Sequence, residues 1–174
     1  MSPARRLALA LALLVGACSG DEVGQPVACP PVLTVADAAF VTQYRDGPGR
    51  DLTDVRFTGA IEDTFWTCGY DQDGNVDVEI TIAMAAARGP AADEPVAHFD
   101  YFVALTDETQ AILAKRVFSF DIPFEGNVNA VGFQRVVGTT FFVGDDTTGA
   151  SHRIYLGFQL SEDQLTDNRR QPGG

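Results

Sequence analysis

Asp71, Asp73, Asn75 and Asp77 stand at alternate positions in the run DQDGNVD, the spacing with which an EF-hand loop begins to surround a calcium ion. The rest of that motif is absent. An EF-hand needs Gly at its sixth position and a bidentate Glu at its twelfth, whereas here Gly74 is fourth and Ile82 twelfth. The same residues read more simply as a hairpin, with Asp73-Gly74 in a type I′ turn and Asp77 already in the outgoing strand. A weak calcium site thus stands beside a plain turn. Asp145 and Asp146 in GDDTTG form a second acidic turn with the same two readings. Paired carboxyls for glycosidic acid and base work could come from Glu62, Asp63, Asp77 and Glu79. On alternating outward positions, the same acids also read as a solvated sheet face.

Other chemistry is sparse. There is no G-x-S-x-G elbow, no G-x-G-x-x-G and no phosphate-binding loop. Ser151 and His152 are sequence neighbours, and neighbours in a strand point to opposite faces, so no dyad is expected there. His98 and His152 are not at ligand spacing and read as surface or edge residues. No catalytic residue and no cofactor is expected.

The N-terminus carries a different kind of chemistry. Arg5 and Arg6 precede an apolar stretch from Leu7 to Val15, which is followed by Gly16, Ala17 and Cys18. That is the layout of a secretory signal, and the stretch is far shorter than the roughly 20 residues a membrane-crossing helix needs. Val15-Gly16-Ala17-Cys18 resembles the lipobox of bacterial lipoproteins. The resemblance implies cleavage before Cys18 and a lipid anchor on its sulfur, each buried methylene contributing about 0.8 kcal/mol. An ordinary signal peptide, cut at an A-x-A-like site, is the alternative. By further resemblance to bacterial sorting signals, Ser19 favours the outer membrane, with the domain facing the periplasm. With Cys18 assigned to lipid, Cys29 and Cys68 remain. In an oxidising envelope an isolated pair reads as one disulfide, with two free thiols or a metal pair as alternatives.

Removal of residues 1–17 would leave 157, enough for one domain with a real core. The whole chain has 12 basic and 24 acidic residues; loss of Arg5 and Arg6 leaves 10 against 24, a net charge near −14. Such a surface argues against nucleic acid as a partner and against docking on anionic lipid. Residues 18–28 read as lipidated cysteine and flexible tether, 29–170 as the single domain, and 171–174 as a frayed tail.

Within the domain the apolar pattern has period two. Val76, Val78, Ile80 and Ile82 alternate with Asp77, Glu79 and Thr81; Phe118, Phe120, Ile122 and Phe124 form a second such series, with Pro123 marking a strand edge or end. Ile154, Leu156, Phe158 and Leu160 form a third, and Val55, Phe57 and Ile61 start another that runs to Cys68. Weaker strands are expected at 32–35, 101–105 and 128–137, with 141–143 a separate piece, while 36–44 reads as turn or strand. Ser161 and Gln164 form a capping box for a helix ending near Arg169. The expectation is an all-β, immunoglobulin-like two-sheet antiparallel sandwich of about seven strands with a short C-terminal helix, a partly closed barrel being the alternative. The twelve Phe, Trp66 and four Tyr read as core, or otherwise as the lining of a lipophilic pocket.

Five segments, RDLTDV (50–55), AARGPAA (86–92), YFVALTDE (101–108), ILAKRVF (112–118) and GFQLSEDQL (157–165), are similar to those of small uncharacterised lipoproteins of alphaproteobacteria. The resemblance implies an envelope location and one compact domain, and carries no catalytic residue. The sequence therefore predicts a non-catalytic envelope lipoprotein, held to the bilayer through Cys18, that binds or supports another envelope component. YFVAL and GFQLSEDQL are the expected partner surface, or else core and cap. The alternative is a calcium-dependent carbohydrate-binding module or an enzyme acting on envelope glycan.

Overall fold

The computed structural model describes residues 28–143 and 148–170. Cys18, the expected leader and the expected Asp145-Asp146 turn lie outside the described residues. Eight strands are present: β1 (Val32–Thr34), β2 (Phe40–Tyr44), β3 (Val55–Tyr70), β4 (Asn75–Arg88), β5 (Val96–Thr106), β6 (Ile112–Pro123), β7 (Ala130–Phe142) and β8 (Arg153–Phe158). One helix, α1 (Glu162–Arg170), follows. The strands form two four-stranded sheets, ordered β1-β8-β5-β6 and β2-β3-β4-β7, which pack face to face as a sandwich.

This corrects the sequence expectation in two respects. There are eight strands rather than seven, and β1 pairs with β8 in parallel, Val32 opposite Ile154, so the sheets are antiparallel-rich and not wholly antiparallel. The order does not reproduce the immunoglobulin arrangement of strands 1-2-5-4 and 3-6-7.

Alternation explains the core. Val76, Val78, Ile80, Ile82 and Met84 of β4 are buried, as are Ile154, Leu156 and Phe158 of β8, because both strands lie inside their sheets with one face toward the other layer. β4 pairs residue by residue with β3 on one side and β7 on the other. That continuous ladder carries β7 through Gly138 to Phe142, where the sequence pattern suggests a break. Phenylalanines link the layers, Phe57 of β3 lying 5.7 Å from Phe124 and Phe120 of β6 lying 5.4 Å from Phe133 of β7. Within the first sheet Phe99 lies 5.7 Å from Phe120 and 5.8 Å from Phe158, and Tyr101 stacks on Phe118 at 5.1 Å. Of the aromatic residues expected in the core, Phe57, Phe99, Tyr101, Phe120, Phe124 and Phe158 are buried, whereas Phe65, Trp66 and Phe142 are exposed.

α1 starts at the expected capping box: the Gln164 amide donates to Ser161 Oγ, and the Ser161 amide to Gln164 Oε1. It then covers the outer edge of β2. Asn168 Nδ2 donates to the carbonyls of Asp37 and Phe40, both at 2.9 Å, and Gln164 Nε2 donates to that of Thr42. The 36–44 segment is both turn and strand, a 3-10 turn at Ala36–Ala38 leading into β2. That turn presses on Gly157, where a Cβ would come within 2.7 Å of the Ala38 Cβ. Only glycine fits there.

Candidate binding seam between the edge strands

Each sequence-predicted site has a definite place. Cys29 and Cys68 form a disulfide with a Cα–Cα distance of 5.7 Å. It ties the segment before β1 to the far half of β3, across the two layers. Thr34 Oγ1 and Thr64 Oγ1, 3.5 Å apart, meet on the same side.

Asp71, Asp73 and Asn75 make the β3–β4 turn. One Asp71 carboxylate oxygen accepts the backbone amides of Asp73 and Asn75, each at 2.9 Å, and the other accepts Asn75 Nδ2. These bonds, the Asn75 side chain first, hold the Asp71 carboxyl below its ordinary pKa. Only Gly74 has positive φ, at 80°, so the expected type I′ turn is corrected to a tighter acid-capped loop with one left-handed residue. Asp77 is in β4, as expected, and accepts a hydrogen bond from Thr140 Oγ1. Among the described residues, no group of three acids, histidines or cysteines is arranged to hold a metal ion.

The other acids lie on the open face of the second sheet. Asp77 and Glu79 edge a shallow hollow of about 470 Å³ with Thr67, Gly69, Gly138 and Thr140. Both are exposed, so the hollow can hydrogen-bond hydroxyl groups but lacks the dry surroundings that raise a catalytic acid. Glu62 falls in a bulge where β3 slips one residue against β4 between Ile61 and Asp63.

The histidine readings need one correction. Ser151 ends a 3-10 turn at Gly149–Ser151, not a strand, and its Oγ lies 3.1 Å from His152 Nδ1. The neighbours therefore do meet. Ser151 Oγ donates its proton to the Thr148 carbonyl at 2.8 Å, so it serves the turn and is not poised as a nucleophile. His152 packs on Phe141, and His98 pairs with Asp121 at 2.5 Å on the exposed face of the first sheet.

The expected partner segments are mostly interior. YFVAL lies in β5 between β8 and β6, and Val103, Ala104 and Leu105 are buried. Gly157 and Phe158 are buried too, and the rest of GFQLSEDQL leads into the edge-covering helix. YFVAL thus lies in the core and GFQLSEDQL runs from core into cap, with Gln159, Ser161, Glu162 and Asp163 exposed. Beside α1 lies a groove of about 320 Å³ between Phe40, Thr42, Ala85, Ala87, Gln164 and Asp167. Next to it, Arg45 pairs with Asp54, Arg50 with Asp167, and Arg56 with Asp93 and Glu94.

What sequence reasoning missed is the opposite flank, where β6 and β7 are the free edges of their sheets. The first half of β6 is exposed on both faces, with Ile112, Leu113 and Val117 at 66%, 53% and 50% exposure. β6 and β7 do not pair, and a gap opens between Phe118, Ser119, Phe120 and Asp121 on one side and Arg135 on the other. Three cations line this flank, each over an aromatic ring: Lys115 Nζ 4.5 Å from Phe102, Arg116 5.0 Å from Phe118, and Arg135 5.4 Å from Phe120. None has an ion-pair partner among the described residues, and Arg135 Nε is buried without a hydrogen-bond partner there. Burial pushes the Tyr101 phenol pKa up, opposed by the Arg135 charge. The signal in the sequence was ILAKRV, whose two adjacent cations sit among apolar residues with no outward polar series.

Compared with known proteins, the chain matches no family model, no curated protein and no solved structure.

Proposed function

We propose that this protein is a non-catalytic binding domain of the bacterial envelope, held to a membrane by lipid on Cys18, that engages another envelope component through the β6 edge. The reading is carried by one observation: a long outer strand whose first half exposes Ile112, Leu113 and Val117 with no covering element among the described residues. An edge of this kind is a template for pairing with another chain, and proteins that do not use such an edge usually cover, shorten or charge it. The domain spends its one helix on the edge of β2 instead. The Cys18 anchor rests on the lipobox resemblance, and an outer-membrane, periplasm-facing site on Ser19.

The test is site-specific photocrosslinking in intact cells, with the photoreactive residue at Leu113 and a control at Thr166 on the exposed side of α1. A defined envelope protein captured from Leu113 and not from Thr166 is the expected result. Equal capture of abundant proteins from both positions would count against the reading. Labelling with a radioactive fatty acid that is lost in Cys18→Ser tests the anchor separately.

A second reading has its own observation. The hollow of Asp77 and Glu79 lies two rows along the sheet from exposed Phe65, which fits a carbohydrate-binding module better than an enzyme. A melting temperature that rises with envelope glycan, with or without millimolar calcium, would favour it; an unmoved one removes it.

A further inference from the structure

We infer that the partner contributes an extended, acidic segment, which adds to β6 as a fifth strand of the first sheet with its carboxylates against Lys115, Arg116 and Arg135. The inference rests on the reading of the β6 edge as a binding surface and names the chemistry of its occupant.

Backbone comes first. As the outer strand, β6 has one side of its N–H and C=O groups turned away from β5. The usual devices that block such an edge are present but displaced from Ala114–Val117. Pro123 stands at the far end of β6, and the register slip against β5 skips Leu113, leaving Ala114–Val117 in regular pairing. Lys115, the residue type best suited to guard an edge, lies over Phe102 of the neighbouring strand, and Arg116 lies over Phe118 of its own. Both charges are drawn onto rings and leave the edge open.

Charge decides the kind of chain that fits. The protein as a whole carries −12, yet this flank presents three cations without carboxylate partners among the described residues. Of the other described arginines, Arg45, Arg50, Arg56, Arg169 and Arg170 pair with acids, and Arg88 and Arg153 pair with none among the described residues. Asp121, which borders the gap with Arg135, is taken by His98. Lys115 and Arg116 are consecutive, so their side chains leave opposite faces of the sheet, Lys115 toward the outer face and Arg116 toward the gap that Arg135 borders. An added strand therefore meets positive charge on both of its faces. Acidic side chains flanked by β-branched residues satisfy this, the apolar ones resting on Ile112, Leu113 and Val117.

A second copy of this chain fits poorly. Antiparallel pairing of β6 with itself would bring Lys115 and Arg116 of both copies close together while uniting two bodies of −12. An anionic bilayer would meet the same overall charge.

The experiment uses the purified full chain and two labelled peptides, one alternating valine with glutamate and one alternating valine with lysine, followed by fluorescence anisotropy. The glutamate peptide should bind about tenfold or more tightly than the lysine peptide, and weaken as salt rises. K115E/R116E, an exchange of two exposed side chains, should reverse the preference. Val117→Pro tests the backbone component independently, since alternation from the Pro95–Phe124 hydrogen bond turns the Val117 N–H away from β5 and proline lacks it; it should weaken both peptides in whichever variant. Circular dichroism checks that each variant is folded. Equal binding of the two peptides, or an unchanged preference in K115E/R116E, overturns the inference, as does retention on vesicles rich in phosphatidylglycerol with no peptide binding. Capture from Leu113 of a partner without an acidic extended segment would overturn it too, while leaving the β6 edge as the binding surface. Absence of both capture and peptide binding would overturn the two together.

Discussion

The two flanks of the sandwich are built to different rules. On the β1/β3 side the layers are tied by Cys29–Cys68 and meet at Thr34 and Thr64, and α1 seals the adjoining edge of β2 with three side-chain hydrogen bonds. On the β6/β7 side no disulfide, helix or ladder among the described residues joins the sheets, which meet there at Phe120 and Phe133, and apolar and cationic side chains stand in the open. A fold that was only minimising its free energy would treat both flanks alike, since an unguarded edge invites association. On the proposed reading, the closed flank carries the stability and the open flank is left to bind.

The largest effect should come from the staple. Cys68→Ser opens a loop of separation 39 in the unfolded chain, which the chain-entropy estimate puts at about 4 kcal/mol. Urea unfolding without reductant should show a loss of that order, with hydrogen exchange rising in β1 and the far half of β3 before β6. A variant as stable as wild type, or one that loosens β6 first, would break the comparison.

The second effect belongs to α1. Asn168 is buried, and Asn168→Ala leaves the carbonyls of Asp37 and Phe40 without that donor. Each unsatisfied buried acceptor costs about 1–3 kcal/mol, so a total near 2 kcal/mol is expected by denaturant titration, with exposure of β2 to exchange. Asn168→Asp, which removes the donor but keeps the shape, should be at least as damaging.

These contrasts show how much of the molecule could be read from its sequence. Val76 to Ile82 and Ile154 to Phe158 lie in strands buried on one side, where period-two alternation is unavoidable, and Ser161 with Gln164 caps through contacts local in the chain. β6 was legible only from Phe118 onward, since Ile112 to Val117 is exposed on both faces and alternation has no core to point at. The parallel pairing of β1 depends on which residues meet at long range, and Val32–Thr34 is too short to declare its partner. The seam was hidden for a related reason: Arg116 and Arg135 lie on different strands of different sheets, and only their juxtaposition gives them a common meaning.

A smaller effect concerns the β5–β6 turn, at the base of the open flank. The Asp107 carboxylate accepts Thr109 Oγ1 and the amides of Thr109 and Ala111, and these bonds, the Thr109 side chain foremost, lower its pKa. The sign follows from linkage: a depressed folded pKa contributes stability that is complete above the ordinary carboxylate range and is lost as pH falls through the folded value. Wild type should therefore melt above Asp107→Asn at neutral pH, and the difference should shrink below about pH 4. A gap that grows on acidification would show that the carboxylate plays no such part. The disulfide does not titrate, so the contribution of the closed flank should stay level over the same range.

The smallest effect is the most informative. Leu113 is half-exposed on the outer strand, and exposed substitutions away from caps and core generally change stability by within about 0.5 kcal/mol. If Ile112, Leu113 and Val117 were retained for folding, Leu113→Lys should cost more than that, because a packed leucine is worth about 2 kcal/mol or more. If they serve binding, the melting temperature should hold while capture of the partner from the neighbouring Ala114 position is lost. The same substitution places a third cation beside Lys115 and Arg116, yet it should still fail to restore binding to an acidic segment, since the added strand needs an apolar rest as well as charge. Stability unchanged with capture lost thus separates the purposes of the two flanks, whereas stability lost with Leu113→Lys would mean that the β6 side is part of the fold's own support.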